Sequence, residues 1–217
     1  TVKSQTLTSS LAGDIRASFL LAGPLLGRWG RAVLPRPGGD RIGRRPLDTH
    51  LHALIELGAT IEVLPDRYVM EAPRGLRGAD IFLHEMSVMG TENAVMAAAL
   101  AQGITTIHNA ASEPHVQELC RLVESLGCPI KGIGTNVLEI EGRSDLGGAK
   151  AVIGPDPIEV GSFIGLAAVT GGHLRITNAK PKQHHRMTRI GFGRLGIRWE
   201  EDGEDIVVPA GQKMEIS

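Results

Sequence analysis

Aromatic residues are scarce in this chain, at 3% of 217 residues, with four Phe, two Trp and one Tyr. Single-stranded nucleic-acid platforms stack bases on exposed rings along a basic groove, so the scarcity argues against that class of function. Cysteine is limited to Cys120 and Cys128, eight residues apart, which fits neither a CxxC redox pair nor a zinc knuckle. Two ordinary reduced thiols are expected. No apolar run reaches the roughly eighteen residues that span a bilayer, because Arg, Gly, Pro or Glu interrupts each candidate. No signal peptide is visible either, and a cytoplasmic location is the default expectation. Net charge is −1, which gives no support for a protein coated in positive charge but leaves room for a local patch.

What is present is a 42% hydrophobic chain, long enough to bury a substantial core in one large domain or several small ones. Repetition is visible within it. Leu57-Gly58, Leu126-Gly127 and Leu195-Gly196 recur at intervals of 69 and 69 residues. Thr106-Ile107-His108-Asn109-Ala110 is echoed 69 residues later by Arg175-Ile176-Thr177-Asn178-Ala179. A period near 70 is a small domain rather than a solenoid unit. Within each copy the apolar pattern runs from a helix to a short strand, a second helix ending at Leu-Gly, and two strands.

In the first copy, Asp14 is expected to cap a helix carrying Ile15, Phe19, Ala22 and Leu26, with a strand at 31–34 after Gly30. A second helix carries Leu47, Leu51, Leu54 and Ile55, and 60–63 pairs with 68–70 as a hairpin. The second copy predicts helices near 88–102 and 113–126. The third predicts helices near 158–170 and 183–195, and a hairpin of 197–199 with 206–208. The fold class is α+β, with sheets outside and helices packed together inside.

The densest chemistry lies in Arg36-Pro37-Gly38-Gly39-Asp40-Arg41-Ile42-Gly43-Arg44-Arg45-Pro46-Leu47-Asp48. The glycines let the backbone turn and approach a ligand, and Arg44 and Arg45 offer planar forks to phosphate or carboxylate. Composition alone also fits a solvated basic loop. Two other signals are set aside. Gly191-Phe192-Gly193-Arg194-Leu195-Gly196 spells G-x-G-x-x-G but closes a helix before a strand, the reverse of the dinucleotide-binding order. His184-His185 reads as a solvated helix start, because adjacent helical residues do not converge on a metal. No metal or cofactor is expected.

The order Pro-Gly-Gly-Asp-x-Ile-Gly-x-Arg-Pro-Leu-Asp-x-His at 37–50 resembles the active-site loop of the UDP-N-acetylglucosamine enolpyruvyl transferase (MurA) family, in the branch with Asp where most members carry Cys. Ile15-Arg16-Ala17-Ser18, the block at 87–93, Asn109-Ala110-Ala111-Ser112-Glu113-Pro114 and the block at 155–163 carry the resemblance further. It implies repeated βαβαββ modules of the inside-out α/β barrel type, about three of them in this chain. The expected division is an enolpyruvyl transferase domain at 1–154, with two modules and the catalytic loop 37–48, then a hinge and the first module of an incomplete second domain at 155–217.

The implied reaction joins the sugar 3′-hydroxyl of UDP-N-acetylglucosamine to C2 of phosphoenolpyruvate, protonates C3 and eliminates phosphate, the first committed step of peptidoglycan synthesis. Asp40 matches the proton donor. An ordinary aspartic acid is ionised at neutral pH, so that role requires proton uptake with substrate, which Arg41, Arg44 and Arg45 oppose while the site is empty. Arg16 and Arg45 match positions that hold the anions of phosphoenolpyruvate or the sugar nucleotide. Pro46, Leu47, Asp48 and Thr49 resemble the uridine-contacting segment, with Asp48 also a candidate helix cap. Ser87, Val88 and Met89 align with diphosphate and uracil contacts before a helix N-terminus.

Leu20, Glu85, Met86 and Pro157 depart from the family's usual residues. The family's N-terminal Lys-Asn pair and C-terminal Asp have no counterpart here, so the chain reads as a middle fragment expected to turn over little by itself. Expected partners are the two small-molecule substrates, with no nucleic acid and no membrane. Two other readings remain: a noncatalytic UDP-sugar-binding paralogue, and the shikimate-pathway enolpyruvyl transferase, which lacks the Pro-Gly-Gly-Asp loop.

Overall fold

The computed structural model describes residues 4–7, 9–40 and 43–215. The chain divides into two compact units, Thr1–Ala151 and Val152–Ser217. In the first unit the elements are α1 (Ser9–Ala12), a 3₁₀ turn (Arg16–Leu21), α2 (Ala22–Trp29), β1 (Arg31–Pro35), α3 (Asp48–Glu56), β2 (Thr60–Val63), β3 (Arg67–Glu71), β4 (Asp80–Phe82), α4 (Val88–Ala98), β5 (Ile104–His108), α5 (Pro114–Ser125), β6 (Ile130–Lys131) and β7 (Val137–Glu141). The second unit holds α6 (Pro157–Thr170), β8 (Leu174–Ile176), α7 (Pro181–His184), α8 (Arg186–Gly193), β9 (Glu200–Asp202) and β10 (Asp205–Val208).

The threefold repeat appears in the sheets. Their orders are β1-β3-β2, β4-β5-β7-β6 and β8-β10-β9, so the last strand of each module lies between the two strands that precede it in sequence. The second module is a full βαβαββ unit whose first strand, β4, runs parallel to β5. An isolated parallel bridge between Thr6 and Val33 is the short counterpart of that strand in the first module. Fold class α+β with repeated modules is the observed architecture.

Each Leu-Gly pair ends a helix. Gly58, Gly127 and Gly196 have φ of 95°, 104° and 77°, left-handed values that a β-carbon disfavours. The first unit buries Phe19, Leu26, Leu54, Leu57, Met70, Ile81, Leu83, Ile107, Leu138 and Ile140 between helices and sheets. Helix α4 lies among α2, α3 and α5, and Asn93, Ala94, Val95, Ala97 and Ala98 are all inaccessible. Small residues permit this. A β-carbon on Gly23 of α2 would meet the Asn93 carbonyl oxygen at 2.5 Å.

Four local expectations change. Asp14 caps nothing: the helix opens as a 3₁₀ turn after Ile15, and α2 follows only from Ala22. Pro24 has no N–H to give the carbonyl of residue 20, so the tighter hydrogen-bonding pattern persists up to it. Asp48 does not cap α3 but is its first residue, where its charge complements the helix dipole. The 197–199 strand lies three residues later, at β9, because Arg198 N–H bonds the Gln212 side chain at 2.7 Å while Ile197 and Trp199 enter the core. His185 is 1% exposed rather than solvated, and its Nε2–H donates to the Ala179 carbonyl at 3.0 Å between α7 and α8.

Pro157, at the first position of α6, follows Asp156, whose carboxylate accepts from Ile158 and Glu159 N–H at 2.8 and 3.2 Å. No helix among the described residues is long and apolar enough to cross a membrane.

Candidate functional site

The loop between β1 and α3 is tied at both ends by arginines. At its start, Arg36 donates through Nε to the Pro65 carbonyl at 2.6 Å and through Nη2 to the Leu64 carbonyl at 3.1 Å. Its guanidinium also lies 5.6 Å from the Tyr68 ring centroid. At the far end, Arg16 Nη2 donates to the Pro46 carbonyl at 2.9 Å. Between these points Gly38 lies against the Gly13 backbone, where a β-carbon would sit 2.0 Å from the carbonyl oxygen. Gly39 and Gly43 take φ of 96° and 125°. The glycines noted in the sequence are therefore demanded by the path of the loop.

Two cavities flank the wall formed by Arg16, Arg44, Arg45 and Pro46. The first, about 330 Å³, adds His50, Glu85, Ser87, Val88 and Met89. The second, about 310 Å³, adds Arg36, Pro37, Leu47 and Tyr68. Residues from the 3₁₀ turn, the loop, α3 and the start of α4 thus meet at one place, although up to 73 positions separate Arg16 from Met89.

Ser87 is the N-cap of α4: its Oγ accepts from Gly90 N–H at 3.1 Å. Thr91 Oγ1 donates to the Ser87 carbonyl at 2.8 Å and accepts from Ala111 N–H at 2.9 Å, which pins this end of α4 to the strand–helix connection after β5. Val88 and Met89 are the first helical residues, whose N–H groups have no partner within the helix.

The electrostatics favour anions. Among the described residues, Arg16, Arg44 and Arg45 form no ion pair. Burial and the neighbouring charge of Arg45 lower the pKa of Arg16, the mark of a cation short of counter-charge. Burial, then the charge of Arg16, pushes the His50 pKa down to about 4, so its imidazole is neutral at physiological pH. Such a cluster lowers its own repulsion by taking up phosphate or carboxylate.

Of the residues singled out in the sequence, Arg16, Arg45, Pro46, Ser87, Val88 and Met89 line the first cavity and Leu47 lines the second. Asp40 is exposed and lines neither, and the same holds for Asp48. Thr49 is buried, its methyl packed toward Gly90. Arg41 and Ile42 lie outside the described residues. His50, Arg36 and Tyr68 join the walls without having been assigned a role from sequence. His50 stands in the loop motif and offered a signal, whereas Tyr68 reads only as a strand residue. No group of three or more His, Cys, Asp or Glu among the described residues is arranged to hold a metal ion.

Solved structures share this architecture. The enolpyruvyl transferase NikO from Streptomyces tendae superimposes with a TM-score of 0.74 at 22% identity, over 94% of this chain and 49% of that one. An EPSP synthase from Acinetobacter baumannii gives 0.62 at 19% identity, over 89% and 46%. The fold is that of the enolpyruvyl transferases.

The family model for EPSP synthase (3-phosphoshikimate 1-carboxyvinyltransferase) matches residues 1–216, and the chain belongs to that family. Among curated relatives, proteins named UDP-N-acetylglucosamine 1-carboxyvinyltransferase are 55% identical in Treponema denticola, over 100% of this chain and 50% of that protein, and 53% identical in Bradyrhizobium diazoefficiens, over 99% and 49%. The chain spans about half the length of these relatives.

Proposed function

We propose that the protein containing this chain is a UDP-N-acetylglucosamine 1-carboxyvinyltransferase, which transfers the enolpyruvyl group of phosphoenolpyruvate to the sugar 3′-hydroxyl and releases phosphate. The observation that carries the reading is the cluster of Arg16, Arg44 and Arg45, without ion-pair partners among the described residues, between two cavities of about 330 and 310 Å³. Both substrates are multiply anionic, and guanidinium forks suit phosphate and carboxylate. Relatives about half identical to the chain bear this name, which favours UDP-N-acetylglucosamine over shikimate 3-phosphate as acceptor.

In this reading Arg16 and Arg45 hold anionic groups. Pro46 to Thr49 and Ser87 to Met89 form the nucleotide side, and Asp40 supplies the proton to C3. Asp40 is exposed, so the role requires substrate to bind within its reach. Residues 155–217 are the hinge and the first module of a second domain. Two water-soluble phosphorylated substrates support a cytoplasmic location, and the product serves peptidoglycan synthesis.

The test is phosphate release from phosphoenolpyruvate, dependent on UDP-N-acetylglucosamine, in a protein of the relatives' length with Asp40 intact or replaced by Asn. Activity lost in Asp40→Asn supports the reading. A folded, inactive protein that still binds UDP-N-acetylglucosamine overturns it in favour of a noncatalytic sugar-nucleotide binder.

A further inference from the structure

His50 is 2% exposed, yet it forms part of the first cavity's wall. Its Nδ1 lies 3.2 Å from Asn93 Nδ2. The orientation of the Asn93 amide is dictated by two backbone groups: Oδ1 accepts from Gly23 N–H at 2.7 Å, and Nδ2 donates to the Phe19 carbonyl at 2.9 Å. Flipping the amide would set donor against donor and acceptor against acceptor in an inaccessible place. The second proton of Nδ2 is therefore directed at His50, and an imidazole nitrogen that accepts a hydrogen bond carries no proton. In a neutral ring the proton then resides on Nε2, the ring nitrogen that Asn93 does not engage. Phe19 meets the imidazole edge to face, with centroids 5.3 Å apart and planes at 88°, which holds the ring's tilt.

We propose that Asn93 is a positioning residue that holds His50 as the neutral Nε2–H tautomer, and that His50 serves as an uncharged hydrogen-bond donor to a phosphate oxygen bound in the first cavity. That the phosphate belongs to a sugar nucleotide rests on the function proposed above. The tautomer does not.

The charge balance of the site explains the value of a neutral donor. Arg16, Arg44 and Arg45 already supply positive charge and Glu85 is the acid in the same wall, while Phe19, Gly23 and Asn93, on the protein side of the ring, carry none. A buried imidazolium would add to repulsion among the guanidiniums, whereas Nε2–H adds direction without charge. An imidazole held this way neither gives up nor takes a proton during turnover. His50 therefore orients an anion and leaves proton transfer to another group.

The experiment reads the His50 ring nitrogens by long-range ¹H–¹⁵N correlation in ¹⁵N-histidine-labelled chain, against pH and on addition of inorganic pyrophosphate, then UDP-N-acetylglucosamine. The expected result is an unprotonated Nδ1, a protonated Nε2, no imidazolium at pH 6 to 8, and movement of the Nε2 resonance with pyrophosphate. Asn93→Asp offers only an acceptor, so it should move the proton to Nδ1 and raise the titration midpoint.

His50→Gln keeps an N–H near the Nε2 position and should bind pyrophosphate within about threefold of wild type, while His50→Phe keeps the ring packing and should lose about tenfold, as expected for one hydrogen bond to a charged acceptor. An Nδ1–H tautomer in the unsubstituted chain, a charged ring at pH 7, or full pyrophosphate affinity in His50→Phe would overturn the proposal. In a protein of the relatives' length, a response to pyrophosphate with none to UDP-N-acetylglucosamine would support the donor role and overturn the sugar-nucleotide reading.

Discussion

Arg16 and Pro46, thirty positions apart, are joined by a single hydrogen bond of 2.9 Å from the guanidinium to the carbonyl, and that bond closes the wall shared by both cavities. The same guanidinium thus sets the end of the loop and contributes charge to the site. Arg16→Ala should weaken pyrophosphate binding by roughly 10- to 100-fold, the scale of a lost hydrogen bond to a charged group. Global stability should change by less than about 1 kcal/mol, because the bond lies at the surface. Calorimetric titration beside urea unfolding separates the two effects.

Acid should weaken the fold through His50. Above pH 6.5 its ring is neutral in both folded and unfolded chains, and its contribution to stability is fully present. As pH falls from 6.5 toward about 4, the unfolded chain takes up the proton first and stability is lost. At about 1.4 kcal/mol per pH unit, this window is worth about 3 kcal/mol. Urea midpoints at several pH values should show the loss, and His50→Gln should flatten it.

Gly23→Ala should destabilise the first unit by about 1–3 kcal/mol, the usual cost of overpacking. The new methyl would meet Asn93 Oδ1 at 2.8 Å and the Ala97 amide nitrogen at 3.1 Å, so α2 and α4 must separate. The midpoint of thermal unfolding measures the cost, and the His50 nitrogen resonances should shift with it because Asn93 is displaced.

Neither native cysteine should react. Both are buried, and burial first, then the charge of Glu124, pushes the Cys120 thiol up to about 11. Burial raises Cys128 as well. Iodoacetamide at pH 8 should leave both unmodified in the folded chain and label both in denaturant, as read by intact mass, since the thiolate is the nucleophile.

The family resemblance implies that the epoxide fosfomycin alkylates a Cys thiolate at the position of Asp40; it should form no adduct with this chain, because a carboxylate is a far poorer nucleophile. Asp40→Cys should acquire one adduct in a protein of the relatives' length with UDP-N-acetylglucosamine present. Mass spectrometry decides both arms.

Much of this was legible in sequence because local chemistry governs it. The three Leu-Gly pairs announce helix ends, since a left-handed residue after a helix is easiest for glycine. The 69-residue echo extends to backbone detail: Asn109 and Asn178 both adopt positive φ, 58° and 53°. Sheet order, by contrast, depends on pairing among distant segments, and the shift of the third hairpin to β9 arises because Gln212 claims the Arg198 N–H. The burial of His185 follows from the break between α7 and α8, which the apolar pattern reads as one continuous helix.

The sequence by itself determined the module, its repetition and the kind of anion chemistry, because glycine positions, apolar spacing and the density of arginine act over a few residues. Only the tertiary structure decided which arginines share a wall, that His50 belongs to it, and which ring nitrogen of His50 meets Asn93. The last of these depends on the Gly23 N–H and the Phe19 carbonyl reaching Asn93 across 70 and 74 positions of chain, a convergence that packing of α2 against α4 creates and no local pattern encodes.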